Sequence, residues 1–128
     1  MTENSTITIA RRSKICRASS GAISTLAPVT HIAFGDGGVD AMGDPIIPQE
    51  TQTALNHEIA RYPVSSIEYP VETTARYGAT IPKEDLVDKF ISEAALVDSD
   101  GEVVAIKTMY AKQKDEGTAF TFKFDDEF

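Results

Sequence analysis

The acidic corner Asp98-Ser99-Asp100-Gly101 is the stretch whose residue types and spacing most suggest chemistry. Aspartates two residues apart and followed by glycine occur in the calcium loop of EF-hand proteins, where a glutamate at loop position 12 completes the coordination. Here that position is Met109, and strand-like apolar runs flank the corner. Asp and Ser favour the start of a turn, and Gly supplies the positive φ of a tight hairpin. The sequence therefore predicts a hairpin corner and no metal site.

The remaining polar candidates lack partners at the spacing that catalysis or metal binding requires. His31 lies in an apolar strand and is expected to be hydrogen-bonded or half-exposed, and His57 is expected to be solvated. Cys16 is the only cysteine, so no internal disulfide can form, and we expect it to be a packing residue. Glu93 is the one acid in an apolar strand, which favours a buried, hydrogen-bonded, structural carboxylate. The sequence predicts no catalytic residue, no cofactor and no metal.

Length and charge limit the classes of function. The chain has 128 residues, with 20 acids against 12 bases and a net charge of −8, and we expect a single domain over residues 1–128. Nucleic-acid binding is disfavoured because phosphate recognition needs a basic surface. No apolar run is long enough to span a membrane, and no secretory signal opens the sequence. The expected site of synthesis is a reducing cytosol.

The N-terminal half is predicted to contain two helices and a strand. Ile9, Ser13 and Cys16 lie on one helical face, which predicts a short helix over Thr8–Ser19. A strand over Pro28–Phe34 runs into a glycine-rich loop that continues to Pro48. A second helix is predicted over Gln49–Tyr62. Its apolar face at i, i+4 and i+7 consists of Leu55, Ile59 and Tyr62.

The C-terminal half is predicted to be mostly strands. The alternating segment Ser66–Thr74 contains Pro70, which places it at a sheet edge or bulge, and alternation continues through Tyr77, Ala79 and Ile81. Residues 83–90 are predicted to form one helical turn. Glu102–Met109 is apolar on both faces and is expected to be central and covered. The last strand, Thr118–Asp125, carries Phe120, Phe122 and Phe124 on one face. The predicted fold is α+β, with an N-terminal helical part packed on a mostly antiparallel sheet.

The order of these parts resembles the N-terminal, baseplate-proximal domain of phage tail-collar fibre proteins. Three segments carry the resemblance: HIAFGDGG (31–38), TALNHEIARYPV (53–64) and the run from Ala79 to Met109, with its Ile-Pro turn and Asp-x-Asp-Gly corner. The closing YAKQKDEGTAFTFKF also fits, so that the resemblance covers about residues 25–125. Where the family has glycine after Glu-x, this chain has Ala95, and the usual proline near MYAK is missing.

The resemblance implies a non-enzymatic structural role in the virion: attaching fibre or accessory protein to the baseplate of a phage tail, of a prophage-encoded tail or of a phage-tail-like particle. It also implies a homo-oligomer, a trimer by analogy with family fibres, contacts with other tail or baseplate proteins, and synthesis in the host bacterial cytoplasm. A fibre protein continues into a shaft and tip, whereas this sequence stops at Phe128, so we expect either a truncated piece of a longer fibre protein or a short stand-alone protein of the tail or baseplate.

Surfaces, not reactive groups, are therefore the predicted working parts. The long loop after the first strand and the aromatic stripe of the last strand are predicted to contact partners. The residues concerned are Asp36, Gly37, Gly38, Asp40, Asp44, Phe120, Phe122 and Phe124. The alternative is a carbohydrate- or ligand-binding β-rich module, which needs exposed aromatics, in a chain with no Trp and four Tyr.

Overall fold

Residues 4–128, described by a computed structural model, form one short helix and two antiparallel β-sheets. In chain order the elements are β1 (Ser5–Ile7), α1 (Ile9–Ser19), β2 (Val29–Gly35), β3 (Glu58–Pro63), β4 (Ser66–Val71), β5 (Thr74–Ile81), β6 (Phe90–Asp98), β7 (Val103–Gln113) and β8 (Phe120–Glu127). The α+β prediction is confirmed. No helix among the described residues is long and apolar enough to cross a membrane.

The larger sheet has five strands in the order β1-β7-β6-β2-β3, with the β6–β7 hairpin near its middle. Residues 91–98 of β6 and 103–106 of β7 are all buried. Both faces of these strands are covered, which explains why they read as continuous apolar runs and not as alternating ones. The prediction of a central, covered hairpin is confirmed, although β7 continues past the predicted end at Met109 to Gln113.

The smaller sheet has three strands in the order β4-β5-β8, and it packs on one face of the larger sheet. Phe34 of β2 meets Phe122 of β8 edge to face, with ring centroids 5.5 Å apart. Phe124 is only 1% exposed and lies beside Phe122, at a centroid distance of 6.3 Å. The main apolar core therefore lies between the two sheets, and rings of both sheets close it.

The loop between β2 and β3 covers the other face of the larger sheet. Leu55 is 7% exposed and belongs to a second buried cluster with Ala33, Ala95 and Ile106. The Thr108 hydroxyl of β7 donates a hydrogen bond of 2.7 Å to the carbonyl of Ile46, which fixes the start of this covering segment.

The predicted helix over Gln49–Tyr62 is wrong. Its N-terminal part is an irregular loop, and its C-terminal part is β3, which pairs antiparallel with β2 so that Tyr62 lies opposite Ile32. The backbone N–H groups of Asn56 and His57, which a helix would need for its own hydrogen bonds, donate to the Glu93 side chain instead. Tertiary hydrogen bonds and strand pairing thus override a helical spacing of three apolar residues.

The predicted N-terminal helix is confirmed, but its expected inner face is wrong. Thr8 caps α1 by accepting the Arg11 N–H at 3.2 Å, and its hydroxyl donates to the carbonyl of Val103 at 2.7 Å. Ile9 is 45% exposed and Cys16 is exposed, so Cys16 is not the packing residue we expected. Arg11 is the buried residue of the helix, and its guanidinium donates to the carbonyl of Ala27 at 2.6 Å.

The predicted strand Ser66–Thr74 is two strands. β4 ends at Val71, Glu72 and Thr73 form a tight turn, and β5 continues from Thr74. β4 is an edge strand with a bulge between Glu68 and Val71, so the edge position predicted from Pro70 is confirmed.

The helical turn predicted over residues 83–90 is wrong. This segment forms successive turns, closed by hydrogen bonds from Asp85 N–H to the Pro82 carbonyl and from Lys89 N–H to the Leu86 carbonyl. Leu86 and Asp88 have positive φ values of 54° and 63°, a backbone conformation that a right-handed helix excludes.

Candidate functional site

A buried carboxylate anchors the glycine-rich loop that follows β2. Glu93, in the centre of β6, is 0% exposed and accepts three backbone hydrogen bonds. Its Oε2 accepts from Gly37 N–H at 2.9 Å and from His57 N–H at 2.8 Å, and its Oε1 accepts from Asn56 N–H at 2.9 Å. Hydrogen bonds to an ionised acceptor are stronger than neutral ones. The prediction of a buried, hydrogen-bonded structural acid is confirmed, and Glu93 joins both ends of the loop to the sheet.

The two adjacent glycines of the loop are required because the backbone approaches β6 closely. A Cβ on Gly38 would overlap the carbonyl oxygen of Ser92, and a Cβ on Gly37 would lie 2.8 Å from the Cβ of Asn56. Without side chains, Gly38 N–H reaches the Ser92 hydroxyl at 2.9 Å, and the Gly37 carbonyl accepts from the Asn56 amide at 2.9 Å. The absence of a Cβ at both glycines therefore allows the start of the loop to lie close against β6.

Asp40 organises the outer part of the loop. Its Oδ1 accepts the N–H groups of Met42 at 2.9 Å and Asp44 at 3.0 Å, and its own N–H donates to the Asp44 carbonyl at 2.9 Å. A bridge between Val39 and Pro45 closes this turn at its base. An aspartate that holds backbone N–H groups in this way stabilises a tight turn. Local hydrogen bonds thus order the outer part of the loop.

The ordered turn presents an apolar surface to solvent. Met42 is 86% exposed at its tip, and Ile47 is 56% exposed where the chain returns. Asp36, Asp40 and Asp44 are also exposed, so the predicted contact residues of the loop, apart from its glycines, lie on the surface. An exposed methionine flanked by acids offers a contact surface.

The two histidines occupy the positions expected of them. The His57 side chain is 69% exposed, and its Nδ1 contacts a carboxylate oxygen of Asp36 at the rim of the loop. His31 is half-buried, and its Nδ1 is 2.9 Å from the Thr30 hydroxyl. Among the described residues, neither histidine belongs to a group of three or more His, Cys, Asp or Glu side chains that could hold a metal ion.

The acidic corner is a turn that binds a lysine. The Lys14 ammonium of α1 lies 2.8 Å from Asp98, 3.0 Å from Asp100 and 3.2 Å from Glu102. Asp98 Oδ1 also accepts the backbone N–H groups of Asp100 and Glu102, both at 3.0 Å, and Gly101 has a φ of 83°. The predicted hairpin corner is confirmed.

Burial raises the pKa of Asp98, but hydrogen bonds from Lys14 and from two backbone N–H groups outweigh it, so the pKa lies below its usual value. Asp98 is therefore ionised at neutral pH, and the corner serves to dock α1 on the β6–β7 hairpin.

The aromatic stripe of β8 points toward the larger sheet. Phe124 is buried, while Phe120 and Phe122 are half-buried and pack against the core. Phe120 stacks on Phe122 at a centroid distance of 6.4 Å, and the Lys112 ammonium lies 4.9 Å from the Phe120 ring. These contacts account for the stripe as part of the core. Its role in contacting a partner stays a prediction.

The exposure of two groups of large apolar side chains was not predicted from the sequence. Met42 and Ile47 lie in a loop with no periodicity, where their only signal is that large apolar residues stand among turn residues. Ile67 and Tyr69 belong to a segment predicted as an alternating strand, and they are 50% and 73% exposed on β4, an edge strand of the smaller sheet.

A comparison with protein-family models gives a match over residues 1–123 to the family described as phage tail-collar fibre protein, N-terminal. The match includes α1, the loop of residues 36–57 that Glu93 anchors (the anchored loop) and both sheets, up to Lys123 in β8. No curated protein matches the chain.

Proposed function

We propose that this chain, which belongs to the phage tail-collar fibre protein family, attaches fibre or accessory protein to the baseplate of the tail. Membership of the family makes the chain a structural component of a phage tail, located in the virion tail and associated with other tail proteins, and not an enzyme. The baseplate attachment, the trimeric state and synthesis in the host bacterial cytoplasm are the finer parts of the proposal.

The anchored loop carries the proposal. A docking element binds more tightly when its conformation is ordered before binding, because less conformational entropy is lost. The loop is held by Glu93 at its base, by Asp40 at its turn and by Thr108 at its return, yet Met42 at its tip is 86% exposed. An ordered loop with an exposed apolar tip is suited to insertion into a pocket on a tail protein.

The loop carries Asp36, Asp40 and Asp44 on its surface, in a chain with a net charge of −8. The partner surface that we propose is therefore a basic rim around an apolar pocket, because opposite charges increase the association rate and fix the orientation.

Replacing the tip side chain tests the attachment. Met42→Asp places a charge where the apolar contact is proposed, and because Met42 is solvent-exposed we expect thermal stability to change by less than about 0.5 kcal/mol. In a host strain that lacks the wild-type gene, we expect incorporation of the variant into purified tail particles to fall at least tenfold.

The control is Tyr110→Asp, which introduces the same charge at an apolar side chain that is 70% exposed on β7, outside the loop. We expect it to be incorporated at the wild-type level. If a correctly folded Met42→Asp variant is incorporated at the wild-type level, the loop is not part of the attachment surface.

A further inference from the structure

The outer edge of β8 carries a row of backbone groups without partners. β8 is the last strand of the smaller sheet and pairs antiparallel with β5 alone, in one continuous register. Phe128 N–H donates to the Thr73 carbonyl, so the even-numbered residues of β8 bond to β5. The N–H and C=O groups of the odd-numbered residues project from the free edge and have no backbone partner in the described part of the chain: Thr121, Lys123, Asp125 and Glu127.

The side chains of these four residues lie on the outer face of the smaller sheet, and the charged ones are drawn away from the edge. The Lys123 ammonium reaches the Glu68 carboxylate of β4 at 2.6 Å. The Asp125 carboxylate accepts hydrogen bonds of 2.8 and 3.1 Å from Arg76 of β5. Charged side chains normally protect an edge strand from association, but here both ion pairs point across the sheet and leave the edge backbone uncovered.

The other edge strands of the two sheets are less suited to pairing with a further strand. β1 has only three residues, β4 contains Pro70 and a bulge, and the pairing of β3 shifts register beside Phe34. β8 has eight residues, no proline and no register shift. Because strand addition needs regular extended backbone with free N–H groups, β8 is the edge that another strand can continue.

A cleft of about 320 Å³ lies beside this edge and is lined by residues of both sheets. Lys123, Asp125 and Glu127 line it from β8, and Ser5 of β1 and Lys107 of β7 line it from the larger sheet. Its volume is at the lower end of the range of about 300–1,000 Å³ that is common for ligand pockets. The cleft therefore has room for a short extended segment but not for a folded domain.

Lys107 determines which segment fits. It lies on the same face of β7 as the core residue Ala105, so its side chain is directed toward the smaller sheet. The two other cations of the cleft are held in ion pairs, whereas Lys107 forms none within the described residues. The hydrogen bonds from Arg76 lower the pKa of Asp125 most, and the charge of Lys107 adds to this effect, so it acts within the cleft. A carboxylate is the group that complements it.

We propose that β8 binds an extended segment of another tail protein as an added strand, with an Asp or Glu side chain of that segment beside Lys107. Strand addition to a free sheet edge gains affinity from main-chain hydrogen bonds and specificity from the side chains that it meets. The inference rests on the association with other tail proteins in the proposed function, and it names a surface other than the anchored loop.

The first test is hydrogen exchange of the full chain, followed for each residue by NMR, with and without a synthetic peptide. In the peptide, threonines alternate with valine, glutamate and valine, so that the glutamate lies on one face of a strand. We expect the N–H groups of Lys123 and Asp125 to exchange quickly in the free protein and at least tenfold more slowly with saturating peptide. Those of Phe122 and Phe124, which bond to β5, should be protected in both states and serve as the internal reference.

The second test is the dissociation constant of the labelled peptide for variants of the full chain. Lys123→Pro removes one outward N–H group and leaves the bonds between β8 and β5 in place. Lys123→Ala is the matched control, because it removes the same ammonium and ion pair but keeps the N–H group. We expect the dissociation constant to rise at least tenfold for Lys123→Pro and less than twofold for Lys123→Ala. Lys107→Glu should weaken binding at least tenfold and should favour a peptide with lysine in place of glutamate.

The other outcomes overturn the inference. Unchanged exchange at Lys123 and Asp125, or equal affinity of the two Lys123 variants, would show that the edge backbone does not bind the peptide. Slow exchange in the free protein that increases with protein concentration would assign the edge to a second copy of the chain. If Lys123→Pro does not fold, the wild-type exchange and the Lys107→Glu variant decide. Any of these failures leaves the loop attachment in place, because the Met42→Asp variant tests it separately.

Discussion

Asp126 makes the stability of the protein depend on pH in an unusual direction. It lies on β8, is 2% exposed, and its Oδ1 has no hydrogen-bond partner within the described residues. Burial raises the pKa of Asp126 to about 6, and the nearby Arg11 guanidinium of α1 only partly opposes this shift. The pKa of Tyr77 on β5 is raised by burial and, to a lesser extent, by Asp126, so the Tyr77 hydroxyl is neutral in the pH range in which Asp126 titrates. The folded state therefore favours the protonated carboxyl group.

The sign and size of the effect follow from linkage. The pKa of Asp126 is 3.8 in the absence of the fold and about 6 within it. A difference of this size corresponds to about 3 kcal/mol of free energy of unfolding. Because the folded pKa is raised, this contribution is fully present below about pH 4, decreases as the pH rises toward about 6, and is absent above that.

Asp126→Asn tests this argument, because an amide occupies the same volume without a charge. Urea unfolding at pH 4 and at pH 7.5 gives the free energy of unfolding directly. We expect the variant to be up to about 3 kcal/mol more stable than wild type at pH 7.5 and about equally stable at pH 4. A variant that is less stable than wild type at pH 7.5 would refute the reasoning, since it would mean that Arg11 satisfies the ionised carboxylate.

The neighbouring Asp125 provides a control of opposite sign. Its two carboxylate oxygens accept hydrogen bonds from Arg76 at 2.8 and 3.1 Å, and these bonds hold the pKa of Asp125 below its usual value. The stability that Asp125 contributes is present at neutral pH and is lost as the pH falls through its lowered pKa. Asp125→Asn should therefore lower the free energy of unfolding at pH 7.5, where Asp126→Asn raises it.

Two further substitutions test the anchor of the loop. Gly38→Ala places a methyl group on the Ser92 carbonyl and should cost at least about 3 kcal/mol in urea unfolding. Gly117→Ala, in open space but at a φ of +77°, should cost about 1–2 kcal/mol, and equal costs would contradict the proposed overlap. Glu93→Gln removes the charge that three backbone N–H groups share and should cost about 3 kcal/mol. The exposed Glu116→Gln should leave stability unchanged, and a cost below about 1 kcal/mol for Glu93→Gln would show that the charge does not stabilise the anchor.

Local chemistry was enough to predict several parts of the structure from the sequence. Pro70 lacks an N–H group, so its strand was predicted to lie at a sheet edge or to contain a bulge. β4 is an edge strand, and it also has a bulge between Glu68 and Val71. The run from Asp98 to Gly101 was predicted as a hairpin corner because its residues favour that turn in any context. Glu93 was predicted as a buried structural acid because it stands alone in an apolar strand.

The partners of these residues were beyond a reading of the sequence. No local signal indicates that Glu93 binds Gly37, Asn56 and His57, because the three donors come from two loop ends brought together only by the pairing of β2 with β6 and β3. The same contacts explain why the helix predicted over Gln49–Tyr62 does not form.

The sequence by itself determined the α+β class, the edge position of β4 and the turns that depend on glycine, proline and aspartate, since each of these follows from the backbone freedom or hydrogen bonding of a few adjacent residues. Only the tertiary structure decided that Arg11 is buried while Ile9 and Cys16 are exposed, that Phe122 packs on Phe34, and that Tyr69 is left uncovered. Periodicity shows which side chains share a face, but which face is covered depends on strands that are far apart in the chain.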